Sequence, residues 1–481
     1  MLRELIDRID LKCHLYARLV VIFAIAAITL TSGLAIAQAL GGSGGLTLPD
    51  VLEVSRIQYQ GNTFGNKARY PYIFNDPSVS GVQGSIHIDK YLLVPSTPLV
   101  GSLTLRGLTT SFSSKSEGAL MRSADGRYLT YMGYAGPVGA EGVSNSYTTT
   151  PGTNLQPPVL PAFDRVVALI KANGQYTVTH EANAYSGDNP RAVISSNGLQ
   201  FYMAGNSDST TFTSGCPSGF NPCGPGTTIG ARYGVPGSTS SYQLGVYKAT
   251  DRPDESKKQH IKDNNFRGIG IYNGNLYVSK GSGGNGDDGL FQVQNGAGNG
   301  LPLGTNNTIT ELFGAPATDP TTQAPSVYTP FGFWFANATT LYVADEGYAN
   351  LDNSGQLIPD PYAGLEKWSL VKGTWTLDYV LTAGLNLYQA QRIGGYPVPT
   401  YTTGLRNLTG KLNGDGTATI YAISAQYSSI SGGEPDPTKL VAIGDSLDAP
   451  ILPHEERFVT LKDSGPLAVF RGVSFVPKGT R

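Results

Sequence analysis

Four arginines recur at equivalent places along this chain: Arg191, Arg267, Arg406 and Arg471 each open a run of strand-forming residues that leads into a turn or the chain's end. A guanidinium offers a planar fork of donors that suits two oxygens of one carboxylate, sulfate or phosphate. Several such groups gathered around one opening repel one another unless carboxylates or a bound anion compensate them. Glu117, Asp345 and Glu346 are placed by the sequence to approach the same opening, with Lys280 as a further cation and Phe331 holding the arginine's place in another copy. The chemistry implied is anion binding. A structural use competes with it, because an arginine pointing between neighbouring sheets can satisfy backbone carbonyls and fasten one sheet to the next.

Other chemistry is sparsely represented. His87, His180, His260 and His454 lack metal-ligand spacing, and neither a G-x-S-x-G elbow nor a Gly-rich phosphate loop is present. His260 and the pair His180-Glu181 could act as acid or base, but read more simply as solvated surface. Asp287 and Asp288 in GGNGDDG are hard oxygen ligands without an EF-hand pattern and read as a turn. No metal and no cofactor is expected. Trp334, Trp368 and Trp375 could stack on sugars, yet their strand positions suit packing between sheets.

The elements that must position these residues repeat. ALMRSADGRYLTYMG from Ala119, RAVISSNGLQFYMAG from Arg191, RGIGIYNGNLYVSKG from Arg267, FGFWFANATTLYVAD from Phe331 and RNLTGKLNGDGTATIYAIS from Arg406 each read as strand, tight turn, strand. RGVSFVPKG from Arg471 supplies a first strand, after which the chain stops. Asp125-Gly126, Asn197-Gly198, Asn273-Gly274 and Asp415-Gly416 suit hairpins because such turns need positive φ. Further strand pairs lie between the hairpins, giving four antiparallel strands per unit and no long helical periodicity. The expected fold is all-β: a six-bladed β-propeller of four-stranded antiparallel blades over residues 50–481. Arg471 to Pro477 is expected to pair beside the strand from Val51 to Gln60, joining both termini in one blade and removing a free sheet edge. The units exceed the usual propeller repeat length, which leaves room for a seventh blade. Loops between the second and third strands, and between units, should emerge on one face and carry recognition.

SADGRYLTY resembles the SPDGKYL hairpin of TolB-like and YVTN-type propeller repeats. With SEGALMRSADGRYLTYMGYAG, GLRNLTG and FRGVSFVP, most of the chain also resembles a group of uncharacterised secreted propeller proteins, mainly bacterial. The resemblance implies the fold, and no activity or catalytic residue comes with it.

Composition bounds the partners. Lys plus Arg number 34 and Asp plus Glu 36, a formal charge of -2, which gives no electrostatic case for nucleic acid or a polybasic membrane contact. Arg3, Arg8, Lys12 and Arg18 precede an apolar run from Leu19 to Leu30, followed by Ala35-Ile36-Ala37. That layout is a signal peptide, residues 1–37, with 38–49 as a linker. A secreted chain, extracellular or periplasmic, is expected, a monomer with no membrane span once the signal is removed. Its expected function is recognition of a ligand or partner, a small molecule, glycan or protein, through the long-loop face, with an anionic small molecule or glycan as one candidate. A carbohydrate-active hydrolase or lyase and a structural cell-surface protein are the alternatives.

Cys216 and Cys223 flank the loop CPSGFNPC, and in an oxidising compartment such a pair closes as a disulfide. Non-reducing peptide mapping of natively exported protein should recover the two cysteines in one linked fragment; recovery of both as free thiols would reject the bond.

Overall fold

A computed structural model describes residues 50–479, apart from 60–81, 147–162, 207–229, 248–264, 282–287, 315–327, 352–356, 393–398, 429–436 and a few isolated positions. The signal segment and linker, Cys216, Cys223, His260 and Asp287 lie outside the described residues, as does most of the expected long-loop sequence. The described chain is built of strands with one short 3-10 turn and no α-helix, and no helix among these residues is long and apolar enough to cross a membrane.

Each expected hairpin forms. Met121–Arg122, Pro190–Ser195, Ile269–Tyr272, Pro330–Phe335 and Thr400–Leu412 turn back on antiparallel partners, Tyr128–Tyr134, Phe201–Gly205, Asn275–Lys280, Thr340–Asp345 and Thr417–Ser428. Gly126, Gly198, Gly274 and Gly416 sit in the turns at φ of 77°, 85°, 74° and 83°, a region costly for any residue with a Cβ. Burial follows depth in the sheet. Pro190–Ser195 and Thr340–Asp345 are buried at every position, whereas the outer strands Leu99–Ser111 and Tyr176–Glu181 alternate exposed and covered residues over much of their length.

The first strands stand beside one another in chain order: Met121–Arg122 against Pro190–Ser195, then Ile269–Tyr272, Pro330–Phe335, Thr400–Leu412 and Ala468–Phe475, which returns to Met121–Arg122. Each continues outward through antiparallel neighbours, as in the order Pro330–Phe335, Thr340–Asp345, Gly364–Val371, Thr374–Leu381. The result is a ring of four-stranded antiparallel sheets, a β-propeller. Hydrophobic clusters fill the gaps between adjacent sheets. Leu120 and Leu129 meet Ile86 and Val469 across one gap, and Leu365 and Leu381 meet Ile420 and Val441 across another. Trp368 belongs to such a gap, stacked on Phe313 at 3.9 Å, as expected for a tryptophan on a strand.

The first and last described strands share one sheet. Val51–Gln58 lies between Gln83–Leu92 and Ala468–Phe475, with Leu52 opposite Phe475 and Gln58 opposite Ala468. The C-terminal strand therefore begins at Ala468, three residues before the arginine that marks the repeat. Three short features lacked any periodicity to announce them. Gly245–Val246 leaves its own sheet and pairs in parallel with Asn307 and Thr308 of the next; Asn350–Leu351 and Leu357–Ile358 form a small hairpin; Ala390–Gln391 pairs with Thr400 and Tyr401.

Close approach of neighbouring first strands depends on glycine. A Cβ on Gly472 would stand 2.2 Å from the Leu120 backbone nitrogen, so the two strands meet only because that atom is missing. Gly472→Ala should lower stability by about 1–3 kcal/mol through overpacking. Gly414→Ala, whose added methyl meets nothing within 4 Å, should stay within about 0.5 kcal/mol. Urea denaturation of the two variants measures the contrast.

Candidate functional site

All first strands run in the same direction along the axis, so residues near their starts gather at one end. Arg191, Arg267, Arg406 and Arg471 come from four of these strands or their leads, and Lys280, Asp345 and Glu346 from ends of second strands. Glu346 is the organising group. Its Oε2 accepts a bond from Arg406 Nε at 3.0 Å and its Oε1 faces Arg267 Nη1 at 3.5 Å. Burial acts to raise its pKa, but the charges of Lys115, Arg267 and Arg406 outweigh burial and hold it down at about 2. Arg267 also lies over the Phe331 ring, 5.7 Å from its centroid, so the phenylalanine that replaces arginine in the next copy supplies a cation–π floor.

Arg191 stands beside this group. Its Nη1 donates to Asn265 Oδ1 and, at 3.3 Å, to the Phe266 carbonyl of the neighbouring strand's lead. Burial first, and then the charge of Arg267, push its pKa down to about 9, while Asp188, Glu346 and Glu117 oppose the fall. The Nε donors of Arg191 and Arg267 are buried and bond no described residue. Buried donors left in that state each cost about 1–3 kcal/mol, so a ligand oxygen placed there would recover that energy.

The remaining expected residues divide. Glu117 is buried near Arg191 and accepts from Thr110 Oγ1 at 2.8 Å, Ser111 N at 3.0 Å, Tyr134 Oη at 2.5 Å and Asn189 Nδ2. Burial raises its pKa despite those donors. Arg471 bonds the Phe112 carbonyl at 2.6 Å, just past the end of the outer strand of its own sheet. Lys280 is fully buried and paired with Asp288 at 3.2 Å. Asp345 turns away from the arginines, held by Thr329 N and Oγ1 at 2.8 and 2.7 Å and by Gly347 N at 2.7 Å. Burial, then Asp360 and Glu366, raise it well above the usual carboxylate range. The structure thus brings Arg191, Arg267, Arg406, Phe331 and Glu346 together with Glu117 at the edge, and assigns Arg471, Lys280 and Asp345 to other partnerships.

Two contributors were missed from sequence. Lys115 acts on Glu346 from the segment that leads into the first hairpin, two residues ahead of Glu117, and Asn265 reaches Arg191 from the residue before Phe266. Lys115 stands in KSEGALM and Asn265 in NNFRG, so both adjoin residues that had been singled out. Of the described histidines, His180 pairs with Asp164 at 3.1 Å on an exposed outer strand, and His87 contacts Ser85 and Thr104. Among the described residues no group of three His, Cys, Asp or Glu is arranged to hold a metal.

No protein-family model matches the chain, and no curated protein matches it. Among solved structures it is similar to the hydrazine synthase of Kuenenia stuttgartiensis, at 10% identity over 75% of this chain and 80% of that one, with a TM-score of 0.32. It is similar also to the hemagglutinin-neuraminidase ectodomain of parainfluenza virus 5, at 10% identity over 91% and 97% of the two chains, TM-score 0.36. A third is an ulvan lyase of a polysaccharide lyase family, at 11% identity over 90% and 97%, TM-score 0.32. The propeller assignment rests on the strand order and pairing above.

Glu346 ties two arginines in a buried setting, so removing its charge leaves cations unpaired. Glu346→Gln should destabilise the fold by about 3–5 kcal/mol at neutral pH. Because its folded pKa lies below the ordinary 4.5, the stability it contributes is complete above pH 4.5 and is lost as pH falls through about 2. Acid denaturation should therefore be shallower over that window in the variant than in the native chain, and identical acid limbs would deny Glu346 this role.

Proposed function

We propose that this chain is a secreted, six-bladed propeller, its ring closed where Val51–Gln58 pairs with Ala468–Phe475, that binds an anionic ligand at the arginine end of its axis. The blade count is supported by the six first strands that neighbour one another in chain order, and the closure by the register of the terminal pair. The observation that carries the binding reading is the convergence of Arg267 and Arg406 on the single carboxylate of Glu346, with Arg191 beside them and buried Nε donors of Arg191 and Arg267 that bond no described residue. Donors preset in this way favour a ligand with paired oxygens, such as a small polycarboxylate or a uronate or sulfated glycan unit. Long loops are expected on this same face, and recognition of something larger than one sugar would use them.

Fastening and binding divide among the arginines. Arg471 and Arg191 reach backbone carbonyls of neighbouring segments and hold the ring, so their loss should register mainly as lost stability. Arg406 is nearly buried against Glu346 and carries both burdens. Arg267, with 12% of its side chain exposed and a longer contact to Glu346, is the cleanest probe.

Calorimetric titration with citrate, trigalacturonate and a sulfated chondroitin oligosaccharide should show saturable binding of at least one by the native protein. Arg267→Ala should weaken that binding by about 1–3 kcal/mol while changing the melting temperature little. Loss of stability with unaltered affinity would assign Arg267 to fastening alone and end the binding reading.

A further inference from the structure

The other end of the axis has a different chemistry. A cavity of about 260 Å³ lies there, and every first strand contributes to its wall, among them Arg122, Ile194, Tyr272, Trp334, Gly410 and Phe475. Its wall exposes polar and apolar surface in about equal measure, with aromatic rings among the lining residues. Tyr272 is stacked on Phe335 at 4.7 Å with 12° between planes, and Trp334 on Tyr342 at 6.0 Å with 18°. Glycine makes this possible: a Cβ on Gly410 would fall 2.3 Å from the Trp334 ring, and one on Gly270 would fall 2.7 Å from the ring of Phe333. The neighbouring strand therefore leaves Trp334 room to lie against it.

Arg122 is the one charged residue in this wall. Its Nε bonds the Gly126 carbonyl at 3.2 Å, and its Nη groups bond no described residue. Half-buried at the edge of this cavity, a guanidinium gains most from a carboxylate that can take both Nη donors. Size narrows the partner further: at this volume the cavity has room for one or two fused rings.

We propose that this cavity is a second binding site, distinct from the arginine cluster, for a small planar aromatic carboxylate whose ring lies among Trp334, Tyr272 and Phe475 and whose carboxylate meets Arg122. Stacking selects a flat ring, and Arg122 selects the acid over its uncharged counterpart. Nothing in this site depends on Glu346 or the arginines at the far end, so either site can fail without the other.

The test is calorimetric titration of the full chain with 1-naphthoate and with its uncharged amide. The native protein should bind the acid saturably and about ten-fold or more tighter than the amide, the factor that a charge-assisted bond supplies. Arg122→Gln should bring the acid down to the amide's affinity and leave the amide unchanged. Trp334→Ala should weaken both ligands by about ten-fold, the scale of a lost aromatic contact. Thermal melts establish that each variant folds; should Arg122→Gln not fold, the acid-to-amide ratio of the native protein and the Trp334→Ala titration decide. Absence of saturable binding by the native chain, equal affinity for acid and amide, or acid binding unchanged in Arg122→Gln would each overturn the proposal.

Discussion

A ring of sheets creates one recurring problem: where two sheets meet near the axis, backbone carbonyls are buried with no strand alongside to bond them, and an unmet buried carbonyl is costly. This chain answers at every seam with a side chain that crosses it. Thr130 Oγ1 reaches the Val193 carbonyl, Ser279 Oγ the Phe331 carbonyl, Asn407 Nδ2 the Arg471 carbonyl at 2.7 Å, and Thr403 Oγ1 the Glu346 carbonyl at 2.9 Å. Arg191 serves the seam at Phe266, and Ser55 the seam at Gly118, where its hydroxyl also accepts from Gly472 N at 2.7 Å. The ring depends on these bonds, because hydrophobic packing between sheets is non-directional and does not by itself fix how first strands face one another.

Seam bonding and close approach are two sides of one constraint. A short side chain can bridge two strands only if they are near, and glycines provide that nearness: a Cβ on Gly268 would stand 2.3 Å from the Phe331 oxygen, and one on Gly404 2.2 Å from the Asp345 oxygen. The Arg-Gly pairs at Arg267-Gly268 and Arg471-Gly472 thus combine a long polar side chain with a backbone that can approach its neighbour. The phenylalanine copy keeps the glycine as Phe331-Gly332, with the Arg406 oxygen 2.7 Å from where a Cβ would stand. The glycine follows the seam, while the residue before it varies with what the axis end requires.

Much of this was legible in the sequence, because the signals involved are local. Turn dipeptides such as Asn273-Gly274 and Asp125-Gly126 specify φ at one residue, and alternating apolar residues specify a strand, so hairpins and their repetition could be read directly. What could not be read were contacts that depend on rotamer and on who stands opposite. Asp345 and Glu346 are adjacent in the chain, yet one bonds Thr329 and the other two arginines, because successive strand residues point to opposite sides. Lys115 and Asn265 carry no periodic signal, and Gly245–Val246 is too short to have one.

The direction of the first strands gives the axis its two chemistries. Every copy enters the axis at the same end, so whatever the repeat places first collects there, and whatever it places four or five residues later collects at the other end. Arg267 leads into the strand that ends at Tyr272, and Arg406 and Gly410 share another, so the arginine cluster and the aromatic cavity are opposite ends of the same segments. A substitution pattern confined to one position of the repeat can therefore alter one end of the axis and leave the seams in between untouched. That separation explains how Phe331 can replace an arginine and Gly410 can face a tryptophan without disturbing the ring: the seam bonds lie between them, and it is the seams, not the ends, that hold the sheets in place.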